Sequence, residues 1–187
     1  MEFIIVLALI GLFVIVAITI YNRLVALRQN CENAFADIDV QLKQRRDLIP
    51  NLVNTVQGYA KHEAKVLESV TEARAAAMAG GSIEKQMAAE SRVSQALFDL
   101  KAVAEAYPDL KADENFQKLQ DELSDIENKI AAARRFFNNA IAEFNTAVEV
   151  FPAVLFAGVL GFHKRGFFEL PEESRAEYHK PPEVAFS

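Results

Sequence analysis

Hydrophobic and polar positions divide the chain into two regimes. Residues 3–21 read FIIVLALIGLFVIVAITIY, nineteen positions without a charge, bounded by Phe3 and Tyr21, with Thr19 the only polar side chain before Tyr21. A helix rises about 1.5 Å per residue, so this run matches a hydrocarbon core of about 30 Å. No other stretch of the chain is long enough to do so. After Tyr21 the apolar positions recur at steps of three and four, the period of one helix face.

The first such face passes through Leu24, Leu27 and Cys31, then Phe35, Ile38, Leu42, Ile49, Leu52, Val56, Tyr59, Val66, Val70 and Ala73. Arg45 and Glu63 are its polar members. This predicts one long helix over residues 22–78 that continues the membrane span as a stalk. Pro50 lies inside it, and a proline removes a donor and crowds the preceding turn. The face keeps its phase across Pro50 and no glycine stands nearby, which predicts a kink rather than a reversal. Two separate helices meeting at Pro50 are the other arrangement.

Gly80 and Gly81 are the first clear stop, with Ser82 placed to cap the next helix. That second helix, over about 83–107, carries Val93, Leu97, Leu100, Ala104 and Tyr107 on one side. The third begins near Asp113 and has the most regular face, from Phe116, Leu119 and Leu123 through Ile126, Ile130, Phe137, Phe144 and Val148 to Phe151. Short connections make such helices antiparallel neighbours. The predicted fold is all-α. A single transmembrane helix continues into a stalk packed in an antiparallel helical bundle of three long helices and a short C-terminal fourth. Counted outward, back and outward again, the end of the third helix lies far from the bilayer. A reversal at Pro50 would bring it near.

The expected organisation is a short tail (1–2), a transmembrane helix (3–21), a bundle domain (22–168) and an extended tail (169–187). A cleaved signal peptide fits poorly, because the run is too long, has no basic residue before it and lacks a cleavage site. Arg23 and Arg28 follow the span and nothing basic precedes it, so the positive-inside rule places the N-terminus outside and the domain in the cytoplasm.

After Pro152 comes AVLFAGVLGF and then His163-Lys164-Arg165-Gly166-Phe167-Phe168. Ten uncharged residues are too few to cross a bilayer. Three arrangements fit: a short helix or loop covering the bundle's end, a contact surface for other subunits or a partner, or interfacial insertion in which phenylalanines enter and Lys164 and Arg165 meet headgroups.

Composition narrows the chemistry. A net charge of −6 argues against a nucleic-acid surface, and the abundance of Ala, Glu, Lys, Gln and Leu suits helices. The single cysteine, Cys31, sits on the apolar face and reads as core. His62, His163 and His179 are scattered, and none has the Glu-x-x-His spacing of a helical metal site. No catalytic, cofactor or metal residues are therefore assigned, and no small-molecule substrate is implied. Two polar stripes stand out: Asp47, Asn51, Asn54 and Gly58 on the first helix, and Arg135, Asn138 or Asn139, and Asn145 on the third. Buried between helices they would fix register, and Gly58 would admit a close backbone. Facing water, they would be ordinary surface, as would Arg45-Arg46.

The string QLKQRRDLIPNLVNTVQGYAKHE, then EAR at 72–74, and later ARRFFNNAIAEFNTAVEVFPA and LGFHKRGFFEL, resemble the bacterial LemA family from Phe3 to Phe168. The resemblance implies a membrane-anchored helical bundle and carries over no catalytic residues. It singles out Arg46, Asp47, Pro50, Asn51, Gly58, Arg135, Phe136 and Asn138. With Leu42 and Val56 on the seam, and Phe151, Phe156, Phe162, Phe167 and Phe168 near the C-terminus, these are the candidate interaction residues.

The function expected is a non-enzymatic scaffold at the bacterial inner membrane, bound to the bilayer by its anchor and self-assembling into a homo-oligomer, because a stalk longer than its partners leaves seam unpaired. A monomeric adaptor for a membrane protein such as a protease or transporter is the second reading. Membrane remodelling through the C-terminal apolar segment is the third.

Overall fold

A computed structural model describes residues 1–168; the tail of residues 169–187, expected to be extended, lies outside the described residues. Among the described residues the chain forms six helices and no strand: α1 (Glu2–Tyr59), α2 (Ala64–Met78), α3 (Ile83–Glu105), α4 (Pro108–Ala112), α5 (Glu114–Glu149) and α6 (Val154–Ala157). They make two compact units. One comprises Met1–Val40 and Ile130–Phe167; the other comprises Gln41–Lys129 with Phe168.

Helix α1 carries the apolar run and passes through Pro50 without interruption. Its buried positions are Leu24, Leu27, Cys31, Ala34, Ile38, Leu42, Arg45, Ile49, Leu52 and Val56, close to the face read from sequence. The end of α1 is not where the pattern put it. The helix stops at Tyr59, and residues 60–63 reverse the chain, with the Glu63 N–H donating to the Ala60 carbonyl at 3.1 Å. Helix α2 then returns along α1: Arg46 Nη1 donates to the Ala77 carbonyl at 2.7 Å, and Arg74 Nε to the Arg46 carbonyl at 2.8 Å. The stalk predicted to reach residue 78 is thus an antiparallel pair.

Why the chain turns there is tertiary. Ala60 is buried, Tyr59 Oη donates to Asp113 Oδ2 at 2.9 Å, and Tyr107 Oη donates to Glu63 Oε1 at 3.2 Å. Both sides of the corner are held by the segment around α4. The next turn obeys local rules. Gly80 (φ 68°) and Gly81 (φ 134°) take backbone angles that L side chains avoid, and the Ser82 side chain accepts from the Lys85 N–H to cap α3. Pro108 opens α4, and Asp113 Oδ1 accepts from the Phe116 N–H at 2.8 Å at the start of α5.

The second unit closes on its own core: Ile49, Leu52 and Val56 of α1 meet Leu67, Val70 and Ala73 of α2, Val93, Leu97 and Leu100 of α3, Leu110 and Phe116. In the first unit, α5 runs antiparallel to α1, with Phe35 and Phe137 rings 5.8 Å apart and Tyr21 meeting Phe162 after the chain leaves α5. Because α2 is an extra return, the C-terminal end of α5 lies beside residues 21–32 of α1, where the apolar run ends. The sequence expectation, with one reversal fewer, put that end far from the span.

Candidate functional site

The first unit gathers aromatic and ionic groups where α1 leaves the apolar run. The Phe162 ring is buried among Tyr21 (centroids 5.8 Å), Phe144 (6.5 Å) and the Arg28 guanidinium, 5.4 Å from its centroid. Arg165 lies over Phe144 at 5.6 Å and pairs with Glu32 at 3.2 Å. Asn145 locks the same residue twice, donating from Nδ2 to the Arg165 carbonyl (2.9 Å) and accepting the Arg165 N–H on Oδ1 (2.8 Å). Lys164 pairs with Glu149 at 2.7 Å. These ties close a loop over residues 150–163, and within it Phe156 meets Phe13 edge to face, centroids 5.6 Å apart. Phe13 lies inside the apolar run.

Asn145, read from sequence as part of a polar stripe, is therefore engaged in closing this loop. Cys31 is buried in the same unit, and burial pushes its thiol above the ordinary range, a group suited to packing rather than attack.

In the second unit the chemistry is a buried ion cluster. Arg45, 2 % exposed, donates from Nη1 to Ser94 Oγ (2.9 Å) and Glu127 Oε1 (2.7 Å). Its Nη2 donates to the Glu90 carbonyl (3.2 Å) and to Glu90 Oε2 in a short bond. Arg46 Nη1 stands 3.4 Å from Glu90 Oε1, an ion-pair distance without hydrogen-bond geometry. Glu90 is buried, while Glu127 is partly open to solvent. Surface charge, the plain reading of Arg45-Arg46, does not hold for Arg45. The signal was present in the sequence: Arg45 is in phase with the α1 face, and Glu90 precedes Val93 on the α3 face by three residues.

The other sequence candidates divide. Leu42 and Val56 are buried inside the chain's own packing, at 1 % and 0 % exposure, so the seam expected to be shared between copies is already filled. Asp47, Asn51 and Asn54 face solvent, and among the described residues a Cβ at Gly58 would meet nothing within 4 Å, so that stripe is a solvated face without the close backbone expected at Gly58. Pro50 is half-buried in α1. Arg135 and Phe136 are exposed and Asn138 is half-buried. Phe162 and Phe168 are covered by the chain, Phe156 is half-buried, and Phe151 and Phe167 are exposed.

A groove of about 450 Å³ opens in the second unit between Leu52, Leu97, exposed Phe98, Phe116, Leu123 and Glu127. Among the described residues no group of three His, Cys, Asp or Glu side chains is placed to hold a metal ion.

Residues 34–186 match the model of the LemA family. The protein LemA of Metamycoplasma hominis is 26% identical over 170 residues, covering 90% of this chain and 77% of that protein. The magnetosome protein MamQ of Magnetospirillum gryphiswaldense is 24% identical over 174 residues, covering 79% of this chain and 64% of the relative. Magnetosome protein MamQ 2 of Paramagnetospirillum magneticum is 21% identical over 175 residues, with 80% and 64% covered. The chain thus spans a little under two thirds of the magnetosome proteins it matches. The family match takes in the tail that the sequence resemblance left aside and begins after the apolar run; it covers most of the chain, which belongs to the LemA family.

Proposed function

We propose that the chain is a non-enzymatic scaffold, anchored in the bacterial inner membrane by residues 3–21, that acts by contact and assembles with copies of itself. The observation that carries this reading is the uncovered first part of α1. Among the described residues its apolar window is left largely uncovered, with Leu9 at 61% and Phe13 at 58% exposure, and the same helix continues into the packed units. Such a surface is suited to hydrocarbon and supports a membrane span. Confinement to a membrane raises the effective concentration of copies, and exposed Phe98 and Phe136 provide aromatic contact groups outside the span. The flanking arginines support an N-terminus outside and the helical units in the cytoplasm.

Light scattering of the full chain in mild detergent tests the assembly. A discrete mass at a multiple of 20.8 kDa supports it, and a monomer at all concentrations refutes it. The burial of Leu42 and Val56 favours a second reading, a monomeric adaptor docking one membrane protein such as a protease or transporter. That reading requires a stoichiometric second protein in gentle detergent extracts.

A further inference from the structure

We propose that residues 150–162 form a re-entrant element that enters the bilayer beside the anchor and embeds α6 in the leaflet on the Tyr21 side. The inference rests on the reading of residues 3–21 as a membrane span and adds a second membrane-embedded segment to it.

Depth is the first argument. Phe156 packs on Phe13, and Phe13 lies eight residues inside the Tyr21 end of the apolar run. Eight residues of helix correspond to about 12 Å along the axis. If the run spans a core of about 30 Å, Phe156 cannot touch Phe13 without lying well below the headgroups.

Surface chemistry is the second. From Val150 to Phe162 the sequence VFPAVLFAGVLGF has no charged or polar side chain. The side chains left uncovered are apolar: Phe151 at 78%, Leu155 at 62% and Val159 at 91% exposure. In water this would be an unusually apolar surface for so short a loop; next to an anchor it continues the anchor's own surface.

The backbone is the third. Lipid-exposed backbone must satisfy its polar groups internally. Here the N–H groups of Val154, Leu155, Phe156, Ala157, Leu160, Gly161 and Phe162 all donate to carbonyls between Val150 and Gly158. Gly161, at φ 77°, lets the Phe162 N–H reach back to the Ala157 carbonyl and seal the turn.

The stem is the fourth. Glu149 and Lys164 pair across the two ends of the loop, Arg165 is held by Glu32 and Asn145, and Tyr21 meets Phe162 edge to face. Tyr21 and these ion pairs lie on the stalk side of the loop and purely apolar residues lie on the other, the order of side chains found across a bilayer interface.

Single cysteines at Leu155 and Val159, carrying nitroxide labels on the full chain in phosphatidylcholine–phosphatidylglycerol vesicles, test this. Both positions are exposed, so the labels leave the packing intact; Cys31 is buried, so the unsubstituted chain is the blank. Leu9→Cys reports the span and Phe98→Cys reports water. The expected result is that labels at 155 and 159 behave as at 9, colliding with lipid-dissolved oxygen more than with a water-soluble nickel chelate. Access to the chelate equal to that at 98 would overturn the proposal. So would shielding from both agents, which would mean cover by a second copy. A label at 9 in lipid with 155 in water refutes the re-entrant segment alone, whereas a label at 9 in water refutes the span as well.

Discussion

Replacing Arg45 with methionine should remove a large share of the stability of the second unit. The guanidinium makes four hydrogen bonds, to Ser94, Glu127 and twice to Glu90, and it is 2 % exposed. Methionine fills a similar volume but leaves the Glu90 carboxylate buried, with Arg46 at 3.4 Å from it. Breaking a buried ion pair by removing one partner costs about 3–5 kcal/mol. The nearby Arg46 puts the expected loss near the lower end, about 3 kcal/mol, against a total of about 5–15 kcal/mol for a typical domain.

The cluster is not therefore a large net stabiliser. Arg45 Nε and Glu90 Oε1 are buried without hydrogen-bond partners, and an unmet buried group costs about 1–3 kcal/mol. Replacing both charges by apolar side chains, Arg45→Met with Glu90→Leu, removes the desolvation cost along with the attraction. The double variant should recover most of the single loss and fall within about 1 kcal/mol of the parent. Glu127 is 41% exposed, so Glu127→Gln should cost less than about 1 kcal/mol. Urea transitions of the full chain in mild detergent, followed by circular dichroism, give the three differences. An Arg45→Met loss below about 0.5 kcal/mol, the range of ordinary surface changes, would refute the reasoning. So would a double variant no more stable than the single.

Val56→Lys, at a position with 0 % exposure in the chain's own core, should unfold or loosen the second unit before it alters any assembly. Loss of particle mass with unchanged protease resistance would show that the residue works between chains instead. Gly161→Ala should cost about 1–2 kcal/mol locally because of its positive φ, seen as faster hydrogen exchange at the Phe162 amide; Gly158→Ala, with helical angles and open space, should leave that amide unchanged. Asp113 is held below its ordinary 3.8 by the Phe116 N–H and then by the Tyr59 hydroxyl. A depressed folded value means that the unfolded chain protonates first as pH falls. The carboxylate's contribution is then complete above that ordinary value and is lost as pH drops through the folded one. The urea midpoints of the parent and Asp113→Asn should converge in that acid window; a gap independent of pH would contradict the assignment.

Helix type and phase were legible in the sequence, and chain reversal was legible only where a backbone rule demanded it. Gly80 and Gly81 announce their turn because positive φ excludes most other residues. Residues 60–63 carry no such mark: Ala60-Lys61-His62-Glu63 is compatible with a helix, and Tyr59 and Val66 stand one heptad apart, so the face continues across the corner as though unbroken. What decides the corner is Tyr59 bonding to Asp113 and Tyr107 bonding to Glu63, pairs separated by about half a hundred residues in sequence. Propensity is overridden by such contacts. The ion cluster was half legible, since Arg45 is in phase with the apolar face, but its partner Glu90 could be recognised only once α3 was placed beside α1.

One missed reversal changes a functional reading as well as a helix boundary. With three long helices the apolar segment after Pro152 is expected away from the bilayer, where ten uncharged residues can only cap a bundle or await a partner. With the return of α2, α5 ends beside α1, and the same residues find Phe13. Length rules judge a segment by whether it can cross a membrane alone; a re-entrant segment needs only internal hydrogen bonds and a protein wall on one side. Residues 150–162 have the first in their turn at Gly161 and the second in Phe13 and Tyr21. The apolar run too short to be an anchor is therefore long enough to reach one.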